Sequence, residues 1–185
     1  MSVQPKWVRL ICEKIAEENG KPVYKKRIEV RKTKPNRALP IRVLIYETKG
    51  KKEMGLLEIP KEYGGGVFDI EKYEGRGKVI GEFICDKIDE YANGEIALSH
   101  NTDETCLTDC ELADYIEGSK AYFWHISDLK IYDKPKELSE FRKPCPYTDG
   151  TYCIENKCEY CGDWTGVCRC WVERPPQSWC YVEEV

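Results

Sequence analysis

From residue 27 onward the apolar residues of this chain recur at every second position or in short unbroken runs, and Gly- and Pro-containing stretches separate the runs. Arg27 to Lys32 alternates apolar and charged residues, which makes one strand face half buried and the other charged. Pro35 and Pro40 bound a loop, and Ile41-Arg42-Val43-Leu44-Ile45-Tyr46 beyond it is apolar enough for a central strand. Strand character resumes from Lys78 to Tyr91, where Gly81 marks a bulge or a tight bend. Ala121 to Tyr132 reads as one long aromatic strand ended by Pro135, and Trp179 to Val182 as a last short strand. Strands are not interleaved with long helices, so the expectation is an α+β chain built as a small mixed β-barrel rather than a doubly wound sheet.

Helical periodicity is confined to short stretches. In residues 6–19, Val8, Ile11, Cys12, Ile15 and Ala16 fall at helical spacing, Pro5 precedes the first turn, and Gly20 is the expected stop. Thr108-Asp109-Cys110-Glu111 has the form of a capping box and predicts a short helix to about Ile116, stopped by Gly118. Residues 49–77, rich in Gly and Lys, read as an excursion with one short strand around Leu56 to Ile59. With 185 residues, the expected organisation is a single domain, 1–185, with two or three short helices, this excursion and a Cys-rich insert over 143–172.

The insert is the sharpest chemical signal. Seven of the 11 cysteines lie between Cys145 and Cys180. No run approaches the roughly 18 apolar residues of a membrane span, and Met1 to Arg9 lacks the apolar core of a signal peptide. The expected compartment is therefore the cytoplasm, where such a cluster reads as metal ligands before disulfides. Cys158-Glu-Tyr-Cys161 can present two thiolates to one tetrahedral ion, which makes structural Zn2+ the default, with an iron–sulfur cluster or uncoordinated thiols as alternatives. The favoured ligands are Cys145, Cys153, Cys158 and Cys161, with Cys168 and Cys170 as substitutes. His125, in an aromatic strand, reads as a packed histidine rather than a ligand. A deaminase-type catalytic zinc is not expected, because Pro144-Cys145 is followed by Pro146-Tyr147 instead of the needed second cysteine.

Charge is unevenly spread. Residues 1–53 hold 15 Lys+Arg against 6 Asp+Glu, whereas the whole chain has a net charge of −4. A basic first third suits an anionic partner, but the acidic remainder does not suit a protein that coats nucleic acid indiscriminately. Within the basic third, Lys26-x-x-Glu29-x-Arg31 places Glu29 and Arg31 on one face of a strand. They can pair with each other, or line a pocket offering an acceptor and a donor fork to a base or phosphate.

The order of these motifs resembles a known family. Ser2-Val3-Gln4-Pro5-Lys6-Trp7, a helix, Gly20 and then Lys26-Arg27-Ile28-Glu29-Val30-Arg31-Lys32 is similar to the Gly-x-Lys-x-x-Glu-x-Arg signature of ASCH domains. Tyr46-Glu47-Thr48, Gly77 to Phe83, Tyr115 to Gly118, Tyr122 to Ile126 and Arg174-Pro175-Pro176-Gln177-Ser178-Trp179 resemble the segments that follow it, in a branch common in bacteria and their phages. The Gly-to-Lys spacing is stretched here by Lys21 to Lys25. The resemblance implies a PUA-like barrel with a cleft beside the signature strand, binding RNA or modified nucleotides. Some small family members are amidohydrolases of N4-acetylcytidine. Lys26 would match their catalytic Lys, but Glu29 stands where they carry a nucleophilic Thr.

Three functions follow, ranked in this order. The first is a binding module in which Lys26, Arg31 and Lys32 meet phosphate or a base edge, Glu29 accepts from an amine, Tyr46 or Trp179 stacks on a base, and Thr48 and Ser178 add hydroxyl contacts. The second is a protein-interaction factor using the acidic surface and the zinc loop, for which a basic partner is expected and no membrane. The third is an amide hydrolase on an acylated nucleoside, with Lys26 as base and Thr48 or Thr33 in place of the missing nucleophile.

Overall fold

The computed structural model describes residues 1–59, 62, 66–92, 102–144 and 170–184. The first half of the chain runs β1 (Ser2–Val3), α1 (Pro5–Cys12), β2 (Lys14–Glu18), β3 (Lys21–Tyr24), β4 (Ile28–Arg31), β5 (Ile41–Glu47), β6 (Lys52–Ile59), β7 (Gly66–Tyr73), β8 (Lys78–Cys85) and β9 (Ile88–Tyr91). The second half adds α2 (Thr102–Thr105), α3 (Asp109–Ile116), β10 (Ala121–His125), β11 (Ser127–Lys136), β12 (Phe141–Arg142) and β13 (Glu183–Glu184).

Two sheets carry the fold. One has the order β1-β5-β8-β11 and the other β4-β10-β9. The chain is α+β as expected, but no closed ring of hydrogen-bonded strands is present among the described residues. The expected long aromatic strand is divided between the two sheets. His125 N donates to Lys87 O and Ile126 N to Arg27 O, which continues the pairing of β10 with its two neighbours, and Asp128 just beyond takes a positive φ of 45°. The chain thereby leaves the second sheet as β10 and enters the first as β11. Pro135 does not end β11, because β11 is an edge strand and one side of it needs no ladder amide.

The core lies between these sheets. In β5, Val43 and Ile45 face α1 (Val8, Ile11), Phe83 and Trp124, whereas Leu44 and Tyr46 face Val79, Phe141 and Val172. In the second sheet, Ile28, Val30, Ala121 and Phe123 pack on Leu112 and Ile116 of α3. Both faces of β4 are therefore buried, not one as the alternation suggested. Gly81 is a point of close approach: a Cβ there would collide with the carbonyl oxygen of Lys130 on β11. A register irregularity lies beside it, between Ile45 and Tyr46.

Three further expectations change. The first helix stops at Cys12, and residues 14–24 form a hairpin whose Asn19-Gly20 turn has φ of 51° and 74°. Asn-Gly with both residues at positive φ is the two-residue hairpin signal, and it overrides the helical spacing of Ile15 and Ala16. The 49–77 excursion holds two paired strands, β6 and β7, rather than one. Trp179 to Val182 is not a strand; pairing is confined to β13 against β12. The predicted capping box of α3 is present: Thr108 accepts from Glu111 N, Glu111 accepts from Thr108 N, and Glu117 takes the left-handed cap before Gly118. Among the described residues no helix is long and apolar enough to cross a membrane.

Candidate binding cleft

The amide of Lys26 donates to Leu10 O near the end of α1 (3.1 Å), which fixes the entry to β4 beneath that helix. Its ammonium then reaches inward and donates to the carbonyl of Thr105 at 2.6 Å. It stands 3.4 Å from Glu29 Oε2 and 5.2 Å above the ring of Trp7. Two residues further along the strand, Arg31 Nη2 lies 2.9 Å from Glu29 Oε1 and donates to the carbonyl of Ser2 at 2.7 Å. The result is a buried Lys–Glu–Arg triad, each side chain less than a tenth exposed. Glu29 Oε2 and Arg31 Nε have no hydrogen-bond partner.

This triad lies on the floor of a cleft of about 920 Å³. Pro5, Lys6 and Trp7 of α1 form one wall, and Glu111, Asp114 and Tyr115 of α3 the other. Thr48 to Lys51 and Glu74, at the base of the β6–β7 ribbon, close one end, and Gln177 and Ser178 of the C-terminal segment line it as well. That segment is held by Ser2, whose amide donates to Ser178 O and whose hydroxyl donates to Pro176 O, both at 2.7 Å. Lys6 and Glu111 meet at 3.2 Å between the two walls. A hydrogen bond from the Thr108 amide, together with the Lys6 ammonium, holds the Glu111 carboxyl below its ordinary value. Burial raises the Tyr115 phenol.

Of the residues singled out from sequence, Lys26, Glu29, Arg31, Thr48 and Ser178 line this one cleft, and the other three lie elsewhere. Tyr46 points to the opposite face of β5 because side chains alternate along a strand, and it packs on Phe141 and Val172. Trp179 packs on Trp124 at 5.8 Å and donates its indole N–H to Thr33 Oγ1. Lys32 is exposed, with its ammonium over the Tyr115 ring at 5.4 Å. Sequence reasoning missed Trp7, Lys6, Glu111 and Tyr115 as cleft residues. The amphipathic stripe of α1 marks its core face but not what its N-terminal turn will flank.

Cys145, Cys153, Cys158, Cys161 and Cys168 lie outside the described residues, and Cys170 is buried at 4% exposure. His125 pairs with Asp89 at 2.7 Å. No group of three metal-ligating side chains occurs among the described residues.

No protein-family model and no curated protein matches this chain. Among the solved structures similar to it are two of the ASCH protein of Zymomonas mobilis. A tyrosine-to-phenylalanine variant of that protein is 21% identical over 75% of this chain and 73% of its own, with a TM-score of 0.47. The unsubstituted protein is 20% identical over 75% and 71%, with a TM-score of 0.46. The likeness is to ASCH structures. ASCH is also the family that the ordered motifs of this chain resemble.

Proposed function

We propose that the chain is an ASCH-type, PUA-like domain whose cleft binds RNA or a modified nucleotide. One observation carries the reading: Lys26, Glu29 and Arg31 share a single cleft with Thr48 and Ser178, residues drawn from separate stretches of the chain. A buried ion network is a poor way to gain stability, because apolar replacements of the same shape often do as well or better. Placed under a cleft, it supplies positive charge for a phosphate and, at Glu29 Oε2, an acceptor for a base amine. Lys51, which lines the same cleft, adds phosphate-binding capacity.

Hydrolysis is the second reading, favoured only by Lys26 and Thr48 sharing the cleft. Thr33 sits outside it and accepts from Trp179. A protein-interaction role stands below both, since Glu111 on the acidic helix is already engaged by Lys6 and by its own helix cap.

The structural zinc belongs to the same proposal. Lys143 N donates to Cys170 O at 2.7 Å and Val172 N to Phe141 O at 3.0 Å. The two ends of the Cys-rich stretch are thus pinned together, and a metal clip would close the loop between them.

The test incubates the purified protein with total cellular RNA and a panel of modified nucleosides, and reads retained and altered species by mass spectrometry. Lys26→Met and Tyr115→Ala run beside the wild type. Retention that both variants lose supports the cleft as a binding site. A deacylated product made only by the wild type makes the protein a hydrolase. Absence of both, in folded protein, overturns the proposal.

A further inference from the structure

The loop that leaves β4 carries three cations, and each sits over a tyrosine. Lys32 Nζ lies 5.4 Å from the ring centre of Tyr115, Lys34 Nζ 5.3 Å from Tyr122, and the Arg37 guanidinium 4.1 Å from Tyr181. The three fall within one six-residue stretch, residues 32–37. All three cations are exposed. Lys34 also pairs with Glu90 at 2.7 Å, so the row is not uniformly positive.

The row is anchored. Trp179 Nε1 donates to Thr33 Oγ1 at 2.9 Å, Tyr181 Oη donates to Asn36 Oδ1 at 2.5 Å, and Asn36 N donates back to Tyr181 Oη at 3.0 Å. These bonds tie the loop to the C-terminal segment that lines the cleft, so little order remains to be imposed on binding. The row is also continuous with the cleft. Tyr115 lines it, and Tyr122 lies opposite Arg31 in the β4–β10 register, which puts the two side chains on one sheet face.

We propose that Lys32, Lys34 and Arg37, with Tyr115, Tyr122 and Tyr181, form a track for single-stranded RNA leading out of the cleft. The ligand is then a strand with one residue seated in the cleft, not a free nucleotide. Alternating rings and cations suit a strand because every base can stack and every linkage carries a phosphate. This inference rests on the nucleotide-binding reading of the cleft.

The test is fluorescence anisotropy with labelled single-stranded RNA of about 12 nucleotides, beside retention of the four nucleoside monophosphates. The variant is Lys32→Ala/Lys34→Ala/Arg37→Ala, with folding checked by its melting curve. The expected result is affinity for the 12-mer reduced about tenfold or more and a salt dependence shallower by about 2 in log–log slope, with mononucleotide retention unchanged. Equal affinity and slope in variant and wild type overturn the track. So does wild-type protein that retains a mononucleotide as tightly as the 12-mer, and that outcome leaves the cleft reading intact. If wild type binds neither ligand, the cleft reading fails and the track with it.

Discussion

The ammonium of Lys26 stands 3.4 Å from Glu29 Oε2, and both side chains are less than a tenth exposed. Glu29 is the counter-charge of Lys26 and, at 2.9 Å, of Arg31 as well. Breaking a buried pair by removing one partner typically costs about 3–5 kcal/mol. Glu29→Gln, which leaves two buried cations uncompensated, should therefore lower stability by several kcal/mol in urea titration. Adding Lys26→Met to Glu29→Gln should recover part of that loss, with Arg31 still uncompensated. If the double variant is no more stable than Glu29→Gln alone, the two charges are not coupled.

Glu82 sits between Arg42 and Tyr132, with Arg42 Nε at 2.8 Å and Tyr132 Oη at 2.5 Å. Burial alone would raise the Glu82 carboxyl, but the hydrogen bonds from Tyr132 and Arg42 outweigh it and hold the carboxyl below 4.5. Burial, aided by Glu82, pushes the Tyr132 phenol up to about 12. The signs differ at the two ends. The Glu82 contribution is present above its unfolded value and is lost as pH falls through the depressed folded one. The Tyr132 contribution is present below its unfolded value of about 10 and is lost as pH rises toward about 12. Melting temperature against pH should show both limbs, and Tyr132→Phe should flatten the alkaline one.

Gly81 has β11 pressed against its α-carbon. Gly81→Ala must push the strands apart, and overpacking of this kind typically costs about 1–3 kcal/mol. Gly20→Ala, in an exposed hairpin turn with open space around it, is limited to the cost of its positive φ, about 1 kcal/mol. Chemical denaturation should rank Gly81→Ala as clearly the more damaging.

Burial raises the Cys85 thiol to about 11, while Cys110 is exposed on α3. Iodoacetamide at mildly alkaline pH should label Cys110 at least about tenfold faster than Cys85, because the thiolate is the nucleophile and access limits it. Comparable labelling by peptide mass mapping would contradict the packing around Cys85.

Protein purified without chelator should release about one zinc per chain on thiol modification. Cys158→Ser and Cys161→Ser should each abolish that signal. Metal content at background in folded wild-type protein removes the zinc reading.

Much of this molecule was legible in one dimension. The capping box at Thr108, the central strand from Ile41 and the charged strand from Lys26 to Arg31 depend on neighbours within a few residues, so local chemistry sufficed. The Asn19-Gly20 turn was equally local, but a helical spacing that ran through it masked the signal. The change of sheet after Ile126 had no local mark. It comes where Ser127 takes up pairing with Ile84 of β8, a strand distant in the chain.

Sequence alone determined which residues carry the charge: Glu29 and Arg31 follow from the alternation of one strand, and Lys26 from the motif that precedes them. Only the tertiary structure decided that their face is buried and roofed by α1 and α3. It also sent Tyr46 to the far side of β5 and set Lys32 over Tyr115. Side-chain direction along a strand follows a period of two, but which of the two faces meets a cleft is set by what packs there, and that depends on distant segments.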